Sequence, residues 1–267
     1  MKLKSTKKEA PESRYQVEAL ARGLAILELF TDEAPTLSLS DIVASLEINK
    51  STAFRFLSTL ESMGYLEREP STRRYRPSVK VLRLGFRAIS LEVRQVARPY
   101  LERLAQELGE TVSMGVLNGT DVIYIDRVRN RAIVGVVLDV GSHLPAHTTT
   151  IGKVLLADCL PDDVAGFLEK ARLEKIAPRT ITTREALLAE LSVVRDQGYA
   201  ICDEEVAAGL RAAGAPIRDN NGKAIAGINV SGSVSTISLE RLKIEVVPAV
   251  VETASQISLA LGYVSKR

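Results

Sequence analysis

Lys50, Ser51, Thr52, Arg55 and Thr59 fall on one side of a helical segment whose other side is apolar at Ala53, Phe54, Leu57, Leu60 and Met63. No carboxylate interrupts residues 48 to 60. Short hydroxyls and cations on one face are the donors that phosphate oxygens and base edges accept from, so the set suits a nucleic-acid duplex. A second cationic run follows, with Arg73, Arg74, Arg76, Lys80, Arg83 and Arg87 between residues 71 and 90 and no Asp or Glu among them. Clustering carries the signal, since the whole chain has 35 basic and 33 acidic side chains, a net charge of only +2. Residues 1 to 90 hold 15 basic and 11 acidic side chains, against 20 and 22 in the remainder. An arginine-rich hairpin can be a merely solvated face, and three-helix bundles also dock proteins. The two clusters at this separation favour duplex DNA.

The elements that must position these groups are legible nearby. Val17 to Phe30 reads as a first helix, apolar at Leu20, Leu24, Leu27 and Phe30. Ser38 with Asp41 three residues on is a capping-box start for a second helix, apolar at Leu39, Ile42, Val43 and Leu46. A turn over Glu47, Ile48 and Asn49 leads into the donor-bearing helix from Lys50, which Gly64 closes. Tyr65 to Glu69, Pro70 to Thr72 and Arg73 to Arg76 then read as strand, turn and strand, so the unit predicted is a winged helix-turn-helix. Its expected DNA-facing set is Arg22, Ser38, Lys50, Ser51, Thr52, Arg55, Phe56, Thr59, Arg73, Arg74 and Arg76. The three wing arginines are assigned mainly to phosphates or the minor groove. Two such helices in a homodimer would enter successive major grooves about 34 Å apart at a palindromic operator.

Other chemistries fit less well. His143 and His147 are four apart, but Pro145 between them argues against a helical metal pair and no further ligand completes a set nearby. Gly152-Lys153 lacks the upstream glycine and the following Ser or Thr of a phosphate loop. Cys159 and His147 could form a nucleophile and base, yet Cys159 falls in an apolar helix. An enzyme with no DNA role is thus the alternative from another class, and neither a metal nor a cofactor is expected. The opening Met1 to Arg14 has no apolar run long enough for a signal peptide or a membrane span. A cytoplasmic protein with reduced thiols at Cys159 and Cys202 is the expectation.

The 267 residues suggest two domains. Ser78 to Ser90 alternates apolar and basic residues and reads as a helical linker suited to dimerisation. Beyond it, a helix through Leu108 precedes strands at Val112 to Leu117, Val122 to Val128 across an Asn118-Gly119 turn, and Ile133 to Leu138. Helices follow from Thr150 to Cys159, after Pro161, and from Thr183 to Gln197. Strands return at Tyr199 to Cys202, Leu210 to Arg218 and Ala224 to Val230, before a final helix from Ser238 to Leu261. A largely antiparallel sheet with helices at both ends is an α+β domain able to enclose a small ligand.

From about Tyr15 to Tyr263 the chain resembles the IclR-type transcriptional regulators. The segments that carry the resemblance are Ala21 to Leu27, Asn49 to Leu57, Gly64 to Leu66, Val81 to Gly85, Leu144 to Lys153, Gly198 to Glu205 and Gly209 to Ile217. The resemblance implies a tail over 1–14, a winged helix-turn-helix over 15–77, a linker helix over 78–92 and a GAF-like effector-binding domain over 93–267. It also implies dimers or dimers of dimers, and a pocket for a small organic acid. That pocket falls on Ile133, Val136, Thr150, Ile151, Gly152, Cys202, Leu210, Ala212, Asn229 and Ser231. Cys202 stands where the family often bears a carboxylate, so hydrogen bonds to the ligand must differ here. The run from Leu210 to Ile217 is closest to regulators of aromatic-acid breakdown, implying a benzoate-like or catecholic acid. A short keto acid such as glyoxylate or pyruvate is the competing effector.

Overall fold

A computed structural model of the chain describes residues 17–31, 34–81, 91–129 and 138–264. The expected basic tail, the linker over 82–90, and the strand from Ile133 with Ile133 and Val136 lie outside the described residues. Two compact units divide between Ile89 and Ser90.

The N-terminal unit contains α1 (Glu18–Glu28), α2 (Leu39–Leu46), α3 (Lys50–Ser62), β1 (Leu66–Arg68) and β2 (Tyr75–Pro77), the two strands pairing antiparallel. Reciprocal capping starts α2, because the Ser38 hydroxyl accepts from the Asp41 N–H and the Asp41 carboxylate accepts from the Ser38 N–H. Glu47 then adopts φ +50°, and Asn49 caps α3 by accepting from the Thr52 N–H at 2.8 Å. Ile26, Leu37, Ile42, Ala53, Leu57, Leu66 and Tyr75 form the buried core.

Two faces differ from the sequence reading. On α3 the inward stripe is Ala53, Phe56, Leu57 and Leu60, while Phe54 and Met63 are 50% and 52% exposed. Ala53 and Leu57 fit either placement, and packing on the N-terminal core selects the flank that carries Phe56. Around the end of α1 the contacts to the core come from Ile26 and Leu27 of the helix and from Leu29 and Phe30 just beyond it, while Leu20 and Leu24 are exposed.

The C-terminal unit begins with α4 (Leu91–Leu108) and builds one antiparallel sheet in the order β5-β4-β3-β8-β7-β6. Its strands are β3 (Thr111–Asn118), β4 (Asp121–Val128), β5 (His143–Pro145), β6 (Ala200–Asp203), β7 (Leu210–Arg218) and β8 (Ala224–Ser233). Gly119 at φ +60° makes the β3–β4 turn, as the Asn-Gly pair requires. The three-residue β5, which ends in Pro145, was not expected. Helices α5 (Thr150–Asp158), α6 (Pro161–Lys170) and α7 (Arg184–Gln197) follow β5 and share a core with Val122 and Tyr124 of β4.

Helix α5 lies close to the sheet because glycines floor it. A Cβ on Gly227 would stand 3.1 Å from Ile151, and one on Gly214 only 2.7 Å from the Thr150 hydroxyl. The expected closing helix is instead α8 (Leu239–Arg241), a π-helical turn over Leu242–Val246 and α9 (Val247–Ala260). Pro248, which has no N–H to donate, stands two residues past the end of that wider turn, in the first turn of α9. Among the described residues, no helix is long and apolar enough to cross a membrane.

Candidate functional site

Lys50, Ser51, Arg55 and Thr59 are exposed on α3, together with Phe54. Their bonding states differ. Ser51 donates to its capping neighbour Asn49 at 2.7 Å, and Thr59 donates to the Arg55 carbonyl at 2.8 Å. Thr52, half-buried, contributes its backbone N–H to the same cap. Lys50 and Arg55 have no hydrogen-bond or ion-pair partner among the described residues, leaving their charge available to a partner. Phe56, expected in the DNA-facing set, instead packs on the core. The Ser38 hydroxyl is occupied in capping α2, and Arg22 pairs with Glu18 one turn away.

The wing arginines have separate fates. Arg73 sits exposed at the hairpin tip with φ +58° and has no side-chain partner among the described residues. Arg74 turns inward: its Nε donates to the Thr36 hydroxyl at 3.0 Å, and its Nη2 donates to the Thr36 carbonyl at 2.8 Å and to Asp41 at 3.1 Å. It therefore ties the hairpin to the capping box of α2. Arg76 forms an exposed pair with Glu67 at 2.9 Å. Asp41 lies below the ordinary carboxylate range, chiefly because it accepts the Ser38 N–H.

In the C-terminal unit a pocket opens between the sheet and the start of α5, lined by Ser113, Tyr124, Arg127, Leu138, Leu144, Thr149, Thr150, Cys202, Val206, Leu210, Ala212, Asn229 and Ser231. Register explains how distant residues meet. One cross-strand row runs Arg127, Ser113, Asn229 and Gly214, and the next runs Thr111, Ser231, Ala212 and Cys202. Rows two residues apart share a sheet face. Above them Thr149 caps α5 by accepting from the Gly152 N–H at 2.9 Å, which brings the first turn of that helix to the pocket.

Strand β4 reaches the same face through an irregularity. Gly115 pairs with Tyr124, but Met114 pairs with Asp126, so Ile125 is the extra residue of a β-bulge. In an unbroken strand Tyr124 and Arg127 would face opposite ways. The bulge turns both toward the pocket.

The electrostatics favour an anion bearing further polar groups. Arg127 Nε, Thr150 Oγ1 and Asn229 Oδ1 are buried with no hydrogen-bond partner among the described residues. All three belong to pocket-lining residues. Burial lowers the Arg127 guanidinium from its ordinary value, yet a guanidinium keeps its charge at neutral pH. Burial raises the Tyr124 phenol and the Cys202 thiol, so both stay protonated, and the Cys202 thiol donates to the Thr148 carbonyl at 3.3 Å. A protonated, bonded thiol is a wall rather than a nucleophile. Cys159 likewise donates to the Leu155 carbonyl of its own helix, and burial raises its thiol.

Of the expected pocket residues, Thr150, Cys202, Leu210, Ala212, Asn229 and Ser231 line the cavity. Ile151 and Gly152 do not. Ile151 is fully buried core, and a Cβ on Gly152 would lie 2.0 Å from the Ala146 carbonyl oxygen, so that glycine serves helix packing. The sequence reading missed Arg127, Tyr124 and Ser113. The one available signal was the Asp126-Arg127 pair, which breaks the apolar pattern of β4.

Residues 87–259 match the model of the bacterial transcriptional regulator IclR C-terminal domain, and residues 19–70 match that of the IclR helix-turn-helix domain. The HTH-type transcriptional regulator XynR of Escherichia coli (strain K12) is 32% identical over 222 residues, 83% of this chain and 88% of that protein. The Pca regulon regulatory protein of Pseudomonas putida is 34% identical over 232 residues, covering 86% and 79%. Among solved structures, an IclR homolog from Microbacterium hydrocarbonoxydans complexed with 4-hydroxybenzoate superposes with a TM-score of 0.82 at 28% identity, covering 91% of this chain and 99% of that one. With both domain models and relatives matched over most of their length in agreement, the chain belongs to the IclR family of transcriptional regulators.

Proposed function

We propose that this regulator reads a palindromic operator as a homodimer, or as a dimer of dimers, and that a small aromatic carboxylic acid in the pocket changes its grip on DNA. In this reading α3 enters the major groove with Lys50 and Arg55 foremost, and Arg73 holds a flanking phosphate. The work is done in the cytoplasm, where the DNA is, and involves binding rather than catalysis.

One observation carries the effector assignment. A half-buried guanidinium whose Nε is buried and which has no carboxylate partner among the described residues, lying in one sheet row with Asn229 and facing the first turn of a helix, is a cradle for a carboxylate. Tyr124, Leu138, Leu144 and Leu210 supply an apolar remainder that suits an aromatic ring. The 4-hydroxybenzoate complex of the similar Microbacterium protein and the likeness to the Pca regulon protein favour the aromatic reading over a short keto acid. A thermal-shift series tests it, because a ligand that binds only the native state raises the melting temperature. 4-Hydroxybenzoate and benzoate should raise it more than glyoxylate or pyruvate at equal concentration. The opposite ranking would replace the aromatic acid with a keto acid.

A further inference from the structure

Resting on the pocket reading above, we propose that Asp126 is a positioning residue that couples Arg127 to α4, so that the state of the pocket is passed to the helix following the DNA-reading unit in the chain. Asp126 and Arg127 are consecutive on β4 and, beyond the bulge at Ile125, point to opposite sheet faces. Arg127 lines the pocket. Asp126 is 1% exposed and lies against α4, its Oδ2 accepting from Arg94 Nε at 3.2 Å and its Oδ1 from Arg98 Nη1 at 2.7 Å.

The same carboxylate also holds the peptide that carries Arg127. Asp126 Oδ1 accepts the Arg127 N–H at 2.7 Å, and Arg98 Nη1 reaches the Arg127 carbonyl at 3.3 Å. Both polar ends of Arg127's backbone are thus bound to a cluster anchored on α4. A ligand that draws the Arg127 side chain into the pocket acts on that backbone and changes the fit of Asp126 between Arg94 and Arg98.

Arg98 has two carboxylates to choose between. Its Nε donates to Glu102 at 2.7 Å one helical turn along, where both side chains are about half exposed. When Arg98 loosens its hold on Asp126, the guanidinium retains Glu102 and the buried carboxylate retains Arg94, so a second arrangement of α4 on β4 strands neither charge. Such a pair of states is what a ligand needs in order to exert a distant effect, provided it favours one of them.

The test uses the full-length protein, 4-hydroxybenzoate as probe and DNA from upstream of its own gene. Asp126→Asn keeps the side-chain shape and an acceptor for the Arg127 N–H but removes the charge that grips both arginines. Arg98→Gln, at a half-exposed position, gives a second variant should Asp126→Asn fold poorly. For the wild type, the ratio of DNA affinities with and without the acid should fall in the range usual for coupled sites, about 5- to 150-fold. Both variants should bind the acid within about threefold of wild type by calorimetry while that ratio falls close to one. A merely structural role would lower the melting temperature and leave the ratio intact. If the wild type binds the acid and both variants keep its full ratio, the coupling is overturned while the pocket reading survives. If no acid binds the wild type, the pocket reading fails and the coupling falls with it.

Discussion

Gly214 lies directly beneath Thr150, so close that a Cβ on the glycine would stand 2.7 Å from the threonine hydroxyl and 2.9 Å from the backbone carbonyl oxygen of Ile228. Neither neighbour is the free end of a flexible side chain. The start of α5 therefore rests on a bare stretch of β7, and the pocket roof is set by what this one residue lacks. Gly214→Ala should push α5 off the sheet, lowering stability by about 1–3 kcal/mol, the usual cost of overpacking, and weakening binding of an aromatic acid more than binding of DNA. Denaturant melts and ligand titration on the same sample check both parts.

Arg127→Gln removes a half-buried charge that has no carboxylate partner among the described residues, so its effects on stability and on ligand affinity should separate. Stability should hold or rise. Affinity for a carboxylate should fall by about 1.5–3 kcal/mol, the contribution of a hydrogen bond to a charged group, as read by calorimetry. Equal affinity of both proteins for benzoate would remove Arg127 from the pocket chemistry.

The two adjacent wing arginines should respond in opposite ways to the same substitution. Arg73→Ala removes an exposed cation and should flatten the dependence of log Kd on log salt by about one, with little change in melting temperature. Arg74→Ala leaves Thr36 and Asp41 without their shared donor and should lower the thermal stability of the N-terminal unit. Anisotropy titrations across a salt series, paired with melts, separate them.

Asp41 supplies a pH signature. Its carboxylate lies below the ordinary value of 3.8 in the folded state, mainly through the bond from the Ser38 N–H. A folded value below the unfolded one adds stability that is present above the unfolded value and is lost as pH falls through the folded one. Asp41→Asn should therefore melt below wild type at neutral pH, and the difference should close as pH drops below 3.8. A difference unchanged at low pH would assign the effect to packing rather than charge.

Local signals made much of this legible in the sequence. The Ser38–Asp41 box, the Asn118-Gly119 turn and Gly64 after α3 each rest on a few neighbouring residues, and each specifies its own backbone. Choosing Phe54 over Phe56 as the inward residue failed because both flank the Ala53–Leu57 stripe, and only the partners across the core decide between them. Arg127 was hidden for a different reason. Its facing depends on a bulge at Ile125, and strand parity is invisible without the pairing register. Six pocket positions came from family likeness, while the charge that completes them came from geometry.

Operator binding by the full-length protein, measured by fluorescence anisotropy with and without 4-hydroxybenzoate against bulk competitor DNA, tests the central claim most directly. Preferential binding to the DNA upstream of its own gene, and a change in that affinity when the acid is added, are the expected results. Equal affinity for any duplex, unmoved by the acid, would contradict that claim.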